Sequence, residues 1–138
     1  MYVVCSDLEG VFVPEVWINV AEKTGIDILR RTTRDEPDYD KLMQWRIGIL
    51  EEHGLKLQDI QDVIAQIKPL EGALEIIDWI KSRSQLIVVS DTFAQFAEPL
   101  MVRLKRPTLF CHELVIDDRG MITDYKLRQK DPKKKVVE

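Results

Sequence analysis

The sequence predicts an α/β protein: a parallel sheet flanked by helices, with a block of helices inserted after the first strand. Three observations carry this expectation. The apolar, β-rich runs Met1-Tyr2-Val3-Val4-Cys5 and Leu86-Ile87-Val88-Val89 stop abruptly at Ser6-Asp7 and Ser90-Asp91. Such unbroken runs suit strands covered on both faces. Stretches of helical period separate the runs, as a parallel sheet requires. Finally, residues 13–68 form a helical block too long for a simple crossover.

Taken in order, Pro14 is placed to open a helix through Ala21, with Gly25 as its stop. Asp38 caps a second helix, in which Leu42, Trp45, Ile49 and Leu50 recur at helical spacing before Gly54. A third spans Leu57 to Ile67, with Ile60, Val63, Ile64 and Ile67 on one face. Pro69-Leu70-Glu71-Gly72 punctuates the chain before a fourth helix carrying Leu74, Ile77 and Ile80. A fifth covers Phe93 to Leu104, where Pro99 should kink or shorten it. Thr108-Leu109-Phe110-Cys111 is a third strand, and Asp117-Asp118-Arg119-Gly120 is the turn of a hairpin between Leu114–Ile116 and Met121–Thr123.

The 138 residues suffice for one modest domain. With 45% hydrophobic and 32% charged residues, the chain has an ordinary globular composition. A net charge of −4 and a pI near 5.3 argue against a general nucleic-acid or membrane-surface binder. The lysines near the C-terminus read as a solvated face. Cys5 and Cys111 make neither a disulfide framework nor a metal-ligand spacing, and are expected as buried, reduced thiols. No basic leader or membrane-length apolar run is present, so the cytoplasm is the expected location.

In open α/β sheets the ligand site lies beyond the carboxyl ends of the strands. Asp7 and Glu9 follow the first strand there, with Ser90 and Thr92 after the second. Two carboxylates one residue apart in a turn can share a site and divide its chemistry, and Gly10 lets the backbone turn tightly. Each signal alone has a plainer explanation, as a turn acid or a helix cap. Their order, with a cap-sized block between them, is what gives them weight.

Asp7-Leu8-Glu9-Gly10-Val11 resembles the first motif of the haloacid dehalogenase (HAD) superfamily, with glutamate where the second aspartate is usual. Val88-Val89-Ser90-Asp91-Thr92 resembles the second motif, and Lys133 after Asp131-Pro132 the lysine of the third. Lys130, Lys134 and Lys135 are alternatives for that lysine. Together with Pro14–Ile18, Thr32–Asp35, Pro37–Asp40, Glu52–Leu57 and Leu127–Pro132, the chain resembles the phosphoserine phosphatase family, and within it the bifunctional phosphoserine phosphatase/homoserine phosphotransferases of the ThrH subgroup.

The resemblance implies a HAD-like Rossmannoid core at 1–12 and 69–138 with a helical cap at 13–68. It implies Asp7 as the phosphoryl-accepting nucleophile and Glu9 as general acid and base. Ser90 would donate to a phosphoryl oxygen, and Lys133 would neutralise charge. Mg²⁺ would sit on the Asp7 carboxylate and the Glu9 carbonyl. For substrate binding it implies Glu15 toward the ammonium of O-phospho-L-serine and Arg46 toward its carboxylate, with Ser90, Asp91 and Thr92 around the phosphate. Homoserine is the implied second acceptor. Read without the resemblance, Glu15 is an exposed helix-start acid and Arg46 a snorkelling surface arginine. His53, His112 and Cys111 are expected to be structural, and Trp17, Trp45 and Trp79 to be core or cap-interface residues.

The superfamily's fourth motif, Gly-Asp-x-x-Asn-Asp, which supplies a further metal carboxylate, is absent from these 138 residues. The expectation is a C-terminally truncated enzyme. The alternative is a catalytically incompetent binding or assembly module, and a third reading is the same fold acting on another phosphorylated metabolite. The missing strand should leave an apolar sheet edge open and favour association, a homodimer included.

Overall fold

The computed structural model describes residues 2–128. Its sheet is made of β1 (Val3–Ser6), β2 (Gln85–Phe93), β3 (Thr108–Ile116) and β4 (Ile122–Lys126), adjacent in that order. The first three are parallel, with Ser6 opposite Val88 and Val89 opposite Phe110, and β4 returns antiparallel beside β3. Between β1 and β2 lie α1 (Val16–Thr24), a 3₁₀ turn (Asp27–Arg30), α2 (Tyr39–Glu52), α3 (Leu57–Ile64) and the crossover helix α4 (Ala73–Lys81). α5 (Ala94–Arg103) connects β2 to β3.

Local chemistry accounts for most of these boundaries. Gly25 ends α1 in the left-handed conformation at φ 75°, which costs a residue without Cβ little. The Asp38 side chain accepts from the Lys41 amide and caps α2. One apolar cluster runs from Leu8 and Val16 through Met43, Ile60 and Ile64 to Val88 and Phe96, so the helical block and the sheet share a core. Each such fully buried side chain stabilises the fold by about 1.5–3 kcal/mol. The two chain passages joining block to sheet meet where the Leu70 amide donates to the Phe12 carbonyl at 2.8 Å.

Several expectations change in detail. β2 extends through Ser90–Phe93, with an irregular register after Val89. The Thr108–Cys111 run and the first arm of the hairpin are one continuous strand, β3. α3 stops at Ile64, and Pro14 precedes α1 rather than opening it. Cys5 is exposed and Cys111 only half-buried, so the thiols are not core residues. Trp79 is 55% exposed on α4 rather than buried, with Arg83 stacked over its ring. Among the described residues β1 pairs only with β2, and Tyr2 and Val3 are exposed at that edge. Among the same residues no helix is long and apolar enough to cross a membrane.

Pro99 does not end α5, which continues to Arg103. A proline nitrogen cannot donate to the carbonyl four residues back, here that of Gln95. That carbonyl instead accepts from Gln61 Nε2 of α3 at 2.9 Å. The Gln95 side chain in turn donates to the Leu114 carbonyl and accepts from its amide, each at 3.0 Å, extending the sheet past the end of the β2–β3 register. Gln61→Leu should therefore lower stability by about 1–2 kcal/mol, the cost of an orphaned partly buried carbonyl. A urea midpoint unchanged from wild type would show that water replaces the glutamine.

Candidate active site

β1 ends at Ser6 opposite Val88, so Asp7 leaves the sheet beside the Ser90–Thr92 stretch with which β2 continues. A cleft of about 400 Å³ opens there. Asp7, Glu9, Glu15, Arg46, Ser90, Asp91 and Thr92 all line it, bringing together every expected site residue within the described range. Lys133, Lys130, Lys134 and Lys135 lie outside the described residues.

The first motif is a compact turn. The amides of Phe12 and Val13 both donate to the Leu8 carbonyl, and Gly10 at φ 80° donates to the Val13 carbonyl at 2.7 Å. Buried Leu8 and Phe12 anchor this turn while Asp7 between strand and turn remains exposed to the cleft. Glu9 is half-buried and accepts from the Val16 amide at the start of α1. Burial raises its pKa from the ordinary 4.5 to about 7, with Glu15 and Asp91 adding to the rise and the Arg46 guanidinium opposing it. At neutral pH this carboxyl is poised between its two protonation states.

That shift predicts a stability profile. The folded state holds the Glu9 proton more tightly than the unfolded chain, so its favourable contribution is complete below pH 4.5 and is lost as pH rises through 7. The stability of wild type relative to Glu9→Gln should therefore fall between about pH 4.5 and pH 7 and level off above. Urea midpoints for both proteins across that range give the test, and a flat difference would rule the shift out.

In the second motif, Ser90 and Thr92 are buried at 5% and 6% exposure. Ser90 Oγ accepts from the Thr92 amide at 3.1 Å, which leaves its own hydrogen to give to a ligand. The Asp91 carbonyl accepts from Tyr39 Oη at 2.8 Å, and its carboxylate lies 3.3 Å from His112 Nε2.

Arg46 is only 6% exposed, so it is not a snorkelling surface residue. Its guanidinium stacks on Trp17 at 4.5 Å, and Nη2 donates to the Arg31 carbonyl at 2.9 Å. Nε is buried without a partner among the described residues. Burial lowers the Arg46 pKa to about 10, partly offset by Tyr39, Glu9 and Glu15. Glu15 sits at the N-cap position of α1 without capping it, half-exposed and 3.6 Å from Arg34. The cleft thus brings a buried guanidinium and a carboxylate beside an exposed acid and a hydroxyl with a free hydrogen.

Two curated proteins are similar over nearly the whole chain. Phosphoserine phosphatase ThrH of Pseudomonas aeruginosa is 61% identical over 137 residues, covering 99% of this chain and 67% of that protein. The chain belongs to the phosphoserine phosphatase ThrH family. A phosphoserine phosphatase of Pseudomonas syringae pv. tomato is 58% identical over 135 residues, covering 98% of this chain and 57% of the relative. The chain thus spans between half and about two thirds of these family members. No protein-family model matches it. The fold is that of solved HAD phosphatases: an apo phosphoserine phosphatase superposes with a TM-score of 0.77 at 20% identity, over 98% of this chain and 67% of that one. A phospho-aspartyl intermediate analogue of phosphoserine phosphatase gives the same TM-score and identity over 98% and 68%.

Tyr39, Trp17 and the Thr32-Thr33-Arg34 segment also line the cleft and had no expected role there. Tyr39 carried a usable signal. It lies seven residues, two helical turns, before Arg46 and so shares its face of α2.

Proposed function

We propose that the protein, or the longer enzyme of which this chain is a portion, hydrolyses O-phospho-L-serine through a phosphoryl-Asp7 intermediate. The observation that carries this is the single cleft in which Asp7 stands beside Glu9, with its pKa near 7, and opposite the buried Arg46. The family's names and the neighbour described as a phospho-aspartyl intermediate analogue support the same reading. We take 13–68 as the cap that supplies Glu15 and Arg46, and 1–12 with 69–138 as the core that supplies the reacting groups.

An Asp7 carboxylate oxygen attacks phosphorus while the bond to the serine oxygen breaks, and protonated Glu9 gives that oxygen its proton. Ser90 donates to a phosphoryl oxygen, and Lys133 adds positive charge. Glu9, now ionised, takes a proton from water as the water oxygen attacks phosphorus and the bond to Asp7 breaks. If homoserine occupies the place of that water, its hydroxyl accepts the phosphoryl group by the same proton transfer. Arg46 and Glu15 hold the substrate carboxylate and ammonium and so favour amino-acid esters.

Asp7 offers the hard oxygen chemistry that suits Mg²⁺, together with the Glu9 carbonyl, but no set of three or more ligating side chains occurs among the described residues. Mg²⁺, when bound, would offset the repulsion between the phosphate and the Asp7 carboxylate. In the 138-residue chain, two copies meeting at the β1 edge, which pairs only with β2 among the described residues, would give a homodimer. The reading is tested by incubating the protein with phosphate-labelled phosphoserine and Mg²⁺ and trapping with acid. Label in a hydroxylamine-labile acyl phosphate on the Asp7 peptide is expected. Hydroxylamine-resistant label on the Ser90 peptide would overturn the mechanism.

A further inference from the structure

We propose that Tyr39 and His112 are positioning residues that set the Ser90 hydroxyl for the phosphoryl group by clamping Asp91 between them. The proposal rests on the phosphomonoesterase reading and deepens it. It also reassigns Asp91, whose carbonyl and carboxylate are both engaged by protein groups, from substrate contact to support.

The peptide unit joining Asp91 to Thr92 is held at both ends. Tyr39 Oη, from α2, donates to its carbonyl at 2.8 Å, and its amide N–H donates to Ser90 Oγ at 3.1 Å. A donor on the carbonyl polarises the peptide and makes its N–H a better donor. With that N–H on one lone pair, Ser90 Oγ keeps its hydrogen for the cleft. One tyrosine of the helical block is therefore linked through a single peptide plane to the phosphate-facing hydroxyl.

The second hold comes from β3. His112 is 1% exposed, and its Nδ1 accepts from the Arg128 amide at 3.1 Å. A peptide N–H only donates, so Nδ1 must carry the lone pair and the ring proton sits on Nε2, facing the Asp91 carboxylate at 3.3 Å. The tautomer is thus fixed by the backbone where β4 ends. Packing holds the ring in place, with Phe93 at 6.3 Å and Tyr39 at 6.1 Å between centroids. Tyr39 also meets Tyr125 edge-on at 5.9 Å, and Tyr125 donates to Asp40 of α2. The helical block and β3 therefore meet at one residue of β2 next to the phosphate-facing serine, with β4 bracing the tyrosine behind it.

The test combines turnover of O-phospho-L-serine with ring-nitrogen NMR on the full chain. Tyr39→Phe, Asp91→Ala and His112→Leu should each lower kcat by about 10-fold with KM changed less than 3-fold, the kcat loss corresponding to one hydrogen bond. The His112→Leu/Asp91→Ala double variant should be no slower than the slower single, because both break one link. His112→Gln, which keeps a donor near the Nε2 position, should recover most of the loss. In the wild type the ring spectrum should show the Nε2–H tautomer, and His112→Gln should shift the Ser90 and Thr92 amides less than His112→Leu does. Independent, multiplying effects in the double variant, or an Nδ1–H tautomer, would overturn the proposal. If neither this chain nor the longer enzyme containing it shows turnover, the functional reading fails separately, and the ring and amide spectra still decide the clamp. If His112→Leu does not fold, Tyr39→Phe and Asp91→Ala decide: unchanged kcat in both refutes it.

Discussion

Asp7→Asn is expected to abolish phosphoserine turnover, by at least ~10³-fold in kcat, while substrate binding is kept or tightened. The amide retains the size of the carboxylate but offers no anionic oxygen to form the new bond to phosphorus, so no covalent intermediate accumulates. The same change removes one negative charge from a cleft that also contains Glu9, Glu15 and Asp91. A dianionic phosphate should then meet less repulsion. Calorimetric titration with phosphoserine should show affinity equal to or above wild type, and the urea midpoint should move little because Asp7 is exposed. Residual turnover within 10-fold of wild type would remove Asp7 from the nucleophile's role. Loss of binding together with loss of turnover would mean instead that Asp7 shapes the site.

How much of this was legible in the sequence follows from range. Asp38 and Gly25 act on their own turns, so capping and left-handed backbone rules located α1 and α2 from composition alone. The proximity of Asp7 to Ser90 was legible because unbroken apolar runs mark parallel strands, and the apolar runs of β1 and β2 finish at the same edge although β2 itself continues. What escaped depended on partners far away in the chain. Pro99 was expected to kink or shorten α5 because nothing local shows that Gln61, 34 residues before Gln95, satisfies the stranded carbonyl. β2 looked shorter than it is because Ser90-Asp91-Thr92 lacks apolar character, and its hold comes from Tyr39, 52 residues from Asp91. His112 looked like an isolated histidine because its partners Asp91 and Arg128 lie 21 and 16 residues away. Arg46 was the hardest case. Its spacing on α2 fits a surface residue as well as a buried one, and only the stacking on Trp17 decides.

Arg46 also supplies the second large effect. Arg46→Met should raise the KM for phosphoserine about 100-fold while leaving the protein as stable as wild type or more so. A guanidinium with pKa lowered to about 10 remains charged at neutral pH, and the lowering means that charge is held less favourably in the fold than in the open chain. Its buried Nε, without a partner among the described residues, is part of that cost. Methionine fills similar volume against Trp17 and removes the charge, the kind of exchange that is often neutral or stabilising by about 1–3 kcal/mol. Loss of the bond to the Arg31 carbonyl works the other way by about 1 kcal/mol. Binding should respond in the opposite sense, because a substrate carboxylate would lose its charged fork, worth about 3 kcal/mol or 100-fold. Arg46→Lys should not rescue it, since an ammonium cannot reproduce the planar fork over Trp17. A further consequence separates this from a simple loss of affinity. Arg46 opposes the rise in the Glu9 pKa, so its removal should push that pKa above 7 and move the protonation-dependent limb of the kcat profile to higher pH. Unchanged KM and an unmoved limb in a folded Arg46→Met protein would return Arg46 to a purely structural role, and the preference for amino-acid esters would then have to come from Glu15 and Arg34 at the mouth of the cleft.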